Sequence, residues 1–234
     1  MTTRRRPSLA GALRLTYAAL AVADTTLAGV GGHHADRARV VTKSLLMPLL
    51  AASFATDARS RRSALRHTTG VAQACAWVGD VALLRTGFVP FATGMGAFAA
   101  GHAAYIRGFR AHRRPGRLVA DPTVRALAGV YALAGPVMAY GAFRQEPAIG
   151  VGVLAYAALL TTTAACAARL DPALGVGARR ASLAGALLFL ASDTLLGLGQ
   201  FLLEDPPAAL GAAVMATYTA GQYLLAEGAL RART

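Results

Sequence analysis

The amino-acid sequence predicts an all-α integral membrane bundle of eight transmembrane helices with both termini cytoplasmic. Three observations carry that expectation. Of the 234 residues, 55% are hydrophobic and only 15% are charged, where a soluble domain carries about 25% charged residues. The charges present are lopsided, 24 Lys and Arg against 11 Asp and Glu, so a water-facing shell of mixed sign cannot be built. The arginines also fall in short clusters between long stretches that hold neither Lys nor Arg. A soluble enzyme, a disordered chain and a secreted disulfide scaffold are excluded. So is a nucleic-acid partner, since such binders gather basic residues on one soluble face.

A bilayer crossing takes about 20 mainly apolar residues, and the cation-poor stretches supply them in turn. The first helix is expected near 9–30. Its length and Asp24 within it favour a retained helix over a cleaved signal peptide, despite the preceding Arg4, Arg5 and Arg6. Residues 44–58 alone are short, and admitting Lys43 extends the second helix to 40–57. The third (65–84) and fourth (88–109) meet at Arg85-Thr86-Gly87, and the fifth (122–143) and sixth (147–168) at Arg144-Gln145-Glu146. The stretch 181–230 is long enough for two crossings. Glu204-Asp205-Pro206-Pro207 divides it, two acids and two helix-stopping prolines, into helices at 181–203 and 208–230. Gly87, Gly94, Gly101 and Gly108 recur every seven residues and give the fourth helix a smooth stripe for close approach.

Cytoplasmic loops hold the Lys/Arg excess. With eight helices, one side collects sixteen arginines, in groups at 4–6, 59–66, 110–117, 169–180 and 231–233. The other side has four: Arg37, Arg39, Arg85 and Arg144. The alternation holds at every loop, which predicts a multi-pass protein of the cell membrane. The loops are too short for a soluble domain, so residues 1–234 read as one transmembrane domain. Cys75 and Cys166 fall within spans among apolar neighbours and read as inert buried thiols. No metal-ligand spacing occurs, and no metal or cofactor is expected.

Function must then lie within the bundle. An ionisable group in a membrane helix is costly and marks a functional site by default. The candidates are Asp24, Lys43, Asp80, His102 and Asp193, with Gln73, Tyr105, Tyr156, Ser192, Gln200, Tyr218 and Gln222 as uncharged companions. Gln73 and Asp80 are seven apart, as are Asp193 and Gln200, so each pair shares a helix side. His102 and Tyr105, and Tyr218 and Gln222, are neighbours at i,i+3 and i,i+4. The economical arrangement turns these stripes toward a common cavity. Lys43 is the only lysine beside 23 arginines, and a compact ammonium near the outer end of the second helix suits a point contact to a carboxylate or phosphate. Asp24 fits a structural hydrogen-bonded carboxyl as well as a functional one. Gly79-Asp80 then Gly101-His102 parallels Ser192-Asp193 then Gly221-Gln222, a pattern that admits two parallel four-helix repeats.

These residues also carry a family resemblance. Thr42-Lys43-Ser44-Leu45-Leu46-Met47-Pro48-Leu49-Leu50 resembles the Lys-centred segment of YhhN-type proteins, and Gly79-Asp80-Val81-Ala82-Leu83-Leu84 resembles their G-D-x-x-L-L motif. Gly94 to Phe109, with Phe98, His102 and Tyr105, is similar to their aromatic and histidine helix. Phe189-Leu190-Ala191-Ser192-Asp193 is similar to F-x-x-S-D, and Tyr218 with Gln222 to the closing Y-x-x-x-Q. The resemblance implies an eight-helix membrane protein with lysoplasmalogenase activity. Such an enzyme hydrolyses the vinyl ether of a lysophospholipid to a fatty aldehyde and a glycerophospho-base.

That chemistry suits the residues. Protonating a vinyl ether at carbon makes an oxocarbenium-like cation, which water captures. The reaction needs one protonated carboxyl group and one carboxylate, the logic glycosidases use. Asp80 and Asp193 are the expected catalytic pair, with Lys43, His102, Tyr105, Ser192, Tyr218 and Gln222 binding substrate or positioning water. The alternatives are a small-solute or proton-coupled transporter, because Asp/His stripes also describe a proton relay, and a lipid-binding membrane protein without catalysis. Against transport, Gly135-Pro136 is the only paired Gly/Pro break within an expected helix.

Overall fold

The computed structural model describes residues 8–233, and among them the chain forms eight α-helices and no strand. They are α1 (Leu9–Val30), α2 (His33–Thr56), α3 (Arg66–Ala82), α4 (Phe88–Ala111), α5 (Pro122–Gln145), α6 (Pro147–Ala168), α7 (Val176–Phe201) and α8 (Ala208–Arg231). Arg4, Arg5 and Arg6 lie outside the described residues. Four of the helices, α2, α5, α6 and α7, are long and apolar enough to cross a membrane, with mean hydropathy of 1.3 to 1.8 over their best stretch.

Local chemistry sets the boundaries. The Ser8 hydroxyl accepts from the Gly11 N–H at 3.2 Å to start α1, and the Asp121 carboxylate accepts from the Thr123 N–H with Pro122 at the first position of α5. Two starts differ from expectation. Gly31 and Gly32, both at positive φ, complete the reversal after α1, so α2 begins at His33 rather than 40. Lys43 therefore lies about three turns inside α2, not near its end. Gly175, also at positive φ, starts α7 at Val176 rather than 181. In both cases arginines that read as loop residues occupy the first turns of a helix. A helix emerging from an apolar layer needs no apolar residues there.

Successive helices form the hairpins α1/α2, α3/α4, α5/α6 and α7/α8, and α1 closes against α8. Small residues allow the close crossings. A β-carbon on Gly101 would lie 3.2 Å from the Ala72 carbonyl, and one on Gly185 only 2.7 Å from the Leu225 nitrogen. The glycine stripe on α4 thus packs against α3, as its spacing predicts. α5 runs through Gly135-Pro136 without interruption.

The polarity of the bundle is reversed relative to a soluble protein. Leu15, Val22, Val30, Leu133 and Val151 are exposed, whereas Asp24, Gln73, Asp80, His102, Ser192 and Gln222 are buried. The two ends also differ. At one end the α2–α3 connection is tied to the C-terminal end of α8 and the residue after it: the Ser63 hydroxyl donates to the Ala229 carbonyl at 2.6 Å, and the Ala64 N–H to the Ala232 carbonyl at 2.9 Å. There the α4–α5 and α6–α7 connections join through Arg114 N–H to Arg169 carbonyl (2.8 Å) and Asp171 N–H to His112 carbonyl (2.9 Å). Ion pairs reinforce this end. Asp57 meets Arg14 and Arg59, Arg59 and Arg231 meet Glu227, and Asp121 meets Arg114. The Arg59 side chain holds the Asp57 carboxyl down at about 2. At the opposite end lie the short α3–α4 and α5–α6 turns and the α7–α8 connection, and that end is open.

Candidate active site

The open end leads into a polar cavity of about 560 Å³. α2 contributes Arg39 and Lys43, α3 Asp80, α7 Ser192, Asp193 and Gln200, and α8 Tyr218. Helical phase explains why they meet: Asp193 and Gln200 are two turns apart on one side of α7, and both reach the cavity.

Its two carboxyl groups have different partners. Asp80 is buried, with the Lys43 ammonium 3.7 Å from one oxygen and the Tyr218 hydroxyl donating to the other at 2.5 Å. The Gln222 amide donates in turn to the Tyr218 oxygen at 3.5 Å. Asp193 is half-buried and accepts from the Tyr156 hydroxyl at 2.5 Å. Among the described residues no cation lies within ion-pair distance of Asp193. Ser192 donates to the Val214 carbonyl at 3.1 Å, fixing α7 against α8 beside Asp193.

A second recess, of about 110 Å³ and almost wholly apolar, opens between α4, α5, α6 and α7. Met95, Phe98, Tyr131, Met138 and Leu160 are among its walls. Asp193, Phe91, Phe98 and Gln200 line both spaces, so the polar cavity and the apolar recess meet at Asp193.

The remaining expected residues lie elsewhere. His102 and Tyr105 do not line the cavity. Both are buried in α4 toward the closed end, the His102 Nδ1 3.0 Å from the Thr163 hydroxyl and its ring edge-on to Phe189 with centroids 4.5 Å apart. The Tyr105 hydroxyl, His102 Nε2, both polar atoms of Gln73 and the Gln222 carbonyl oxygen are buried without a hydrogen-bond partner. These form a deeper polar layer behind the cavity. Asp24 is fully buried between α1 and α2, where it accepts from the Thr42 hydroxyl at 2.5 Å and faces the Arg39 Nε at 3.5 Å.

The arrangement matches the order and spacing of the motifs read from the sequence, and comparison decides the family. A model described as the YhhN family matches residues 38–229. The chain belongs to the YhhN family. The matched region includes every cavity residue named above and leaves Asp24 outside it. No curated protein and no solved structure matches the chain.

Two contacts between helices, one at the cavity and one outside the matched region, were not legible in the sequence. Tyr156, the hydrogen-bond partner of Asp193, reads there as one companion among several because α6 is apolar all round and has no marked face. Tyr17 of α1 donates to the Thr219 carbonyl of α8 at 2.8 Å and joins the first helix to the last, a pairing no local pattern could signal.

Proposed function

We propose that the protein is a membrane-embedded lysoplasmalogenase-like hydrolase, cleaving the vinyl ether of a lysophospholipid to a fatty aldehyde and a glycerophospho-base. The observation that carries this reading is the pair Asp80 and Asp193, in one cavity with different partners, Asp193 standing at the boundary between a polar and an apolar space. A lysolipid has the same division, polar on one side of its vinyl ether and hydrocarbon on the other.

The partners divide the work. Lys43 and Tyr218 stabilise Asp80 as a carboxylate. Asp193, with no cation partner and beside the apolar recess, is the carboxyl group that donates a proton to the vinyl carbon. The oxocarbenium-like cation so formed is stabilised by the Asp193 and Asp80 carboxylates. Asp80 takes a proton from water as the water oxygen bonds to the cationic carbon, giving a hemiacetal. Asp193 then removes the hemiacetal hydroxyl proton, while Asp80 returns its proton to the departing glycerol oxygen. Aldehyde and alcohol leave, and both carboxyl groups are restored.

All eight helices are proposed to cross the membrane, with both termini cytoplasmic, as a multi-pass protein of the cell membrane. The exposed apolar side chains and buried polar ones support this, as does the gathering of arginines at the closed end. The closed end also weighs against a transport path through the bundle. The test is direct: detergent-purified protein is incubated with a lysoplasmalogen, its saturated-ether analogue and its acyl analogue, and aldehyde is measured. Aldehyde from the vinyl ether alone is the expected result. Solute or proton flux in liposomes with no lipid turnover overturns it.

A further inference from the structure

The mouth of the cavity holds charges that the proton-transfer chemistry does not use. Arg85, in the α3–α4 turn, and Glu146, in the α5–α6 turn, both line the polar cavity and both are exposed. Neither has an ion-pair partner among the described residues. Glu146 stands at the N-cap of α6 without a side-chain capping bond, so the helix end does not account for its carboxylate. Arg39 lines the same cavity one helical turn before Lys43. Its Nε stands 3.5 Å from Asp24, and that Nε makes no hydrogen bond.

Two guanidinium groups and one carboxylate thus surround the entrance to a cavity whose far side leads into an apolar recess. Guanidinium groups match phosphate oxygens in geometry and charge, and an exposed carboxylate attracts an ammonium. We propose that this mouth is a subsite for a zwitterionic headgroup, with Arg39 and Arg85 taking the phosphate and Glu146 the ammonium, while the hydrocarbon passes Asp193 into the apolar recess. The assignment rests on the hydrolase reading only for the bond that lies between the two. Lys43 is not part of the subsite, since it lies one helical turn deeper than Arg39, beside Asp80. A phosphate at the mouth and a chain in the recess bring the intervening glycerol and ether to Asp193, where the two spaces meet.

Binding without turnover tests the subsite. The ligands are three 1-alkyl lipids with saturated ethers: a lysophosphocholine, a phosphate lacking choline, and an alkylglycerol lacking both. Affinities are measured by calorimetry on the full chain in detergent, with inorganic phosphate and glycerophosphocholine as chain-free ligands. The expected order is phosphocholine, then phosphate, then alkylglycerol. Arg85→Gln should weaken the two phosphate-bearing lipids about tenfold, the loss of one charge-assisted contact, and leave their advantage over alkylglycerol much reduced. Glu146→Gln should weaken the phosphocholine lipid alone. Arg144→Gln, exposed at the same end but outside the cavity, should alter none of them. Equal binding of all three lipids, or indifference to both Arg85→Gln and Glu146→Gln, overturns the assignment. Inorganic phosphate binding as tightly as the phosphate lipid, with the same dependence on Arg85, also overturns it in favour of a free-anion site. None of these ligands contains a vinyl ether, so this result and aldehyde release succeed or fail separately.

Discussion

At the scale of single residues, the difference between Asp80 and Asp193 yields the sharpest expectations. Asp80→Asn and Asp193→Asn should each reduce aldehyde release at least a thousandfold, since each removes a proton-transfer group that contributes about 10²–10⁴ in rate and the two act in one cycle. Size-exclusion behaviour and circular dichroism of the purified variants check that the bundle is intact. Full vinyl-ether hydrolysis by both would end the two-carboxylate mechanism. Lys43→Met should lower turnover more than apparent affinity, because the Lys43 ammonium stands 3.7 Å from Asp80 and acts through it. Helical spacing in the sequence was enough to put Asp80, Asp193, Gln200 and Tyr218 on faces that reach one cavity. It was not enough for His102 and Tyr105, because helical phase reports a face and not a depth. Their faces turn inward, yet both sit below the cavity, His102 against Thr163 and Phe189 and Tyr105 stacked on Phe109. Nor did spacing disclose that Lys43 and Asp80 are partners, since that contact joins different helices.

At the scale of helices, small residues decide the crossings. An alanine β-carbon at Gly185 meets the α8 backbone at 2.7 Å, whereas one at Gly96 meets nothing within 4 Å. Gly185→Ala should therefore destabilise the protein by about 1–3 kcal/mol, the usual cost of overpacking, while Gly96→Ala is neutral or slightly stabilising through helix propensity. Thermal unfolding in detergent compares the two. Acid stability belongs to the connection between α2 and α3. Asp57 is held at about 2 by Arg59, below the unfolded carboxylate value of about 3.9. Its contribution is complete above that value and is lost as pH falls through 4 toward 2. Unfolding measured across that interval should show the loss in the native chain and a flatter profile in Asp57→Asn. Six of the eight helices lie within two residues of the ends expected from the sequence, because charge clusters and the Glu204-Asp205-Pro206-Pro207 break coincide with real termini. The starts of α2 and α7 escaped because glycines at positive φ, not changes in hydropathy, set them.

For the whole molecule, the asymmetry of the two ends connects topology to access. Arginine clusters, ion pairs and loop-to-loop hydrogen bonds concentrate at one end, and the cavity opens at the other beside Arg85 and Glu146. If the basic end is cytoplasmic, the site faces the opposite side of the membrane and takes its lipid from that leaflet. Single cysteines distinguish the sides in a chain whose Cys75 and Cys166 are first replaced by alanine. Thr86→Cys, in the α3–α4 turn, should react with a membrane-impermeant maleimide added outside intact cells. Arg61→Cys, between α2 and α3, should react only after the membrane is opened. Prior incubation with the saturated-ether lysophosphocholine should slow labelling of Thr86→Cys, which lines the mouth, and leave Arg61→Cys unaffected. Labelling in the reverse sense would turn the site toward the cytoplasm and make the arginine clusters a feature of the outer face, contrary to the charge rule that orients membrane helices. Reaction of both cysteines from outside would mean that the two connections share one side. α3, the one helix between those two connections, would then fail to cross, and the eight-span topology would fall with it.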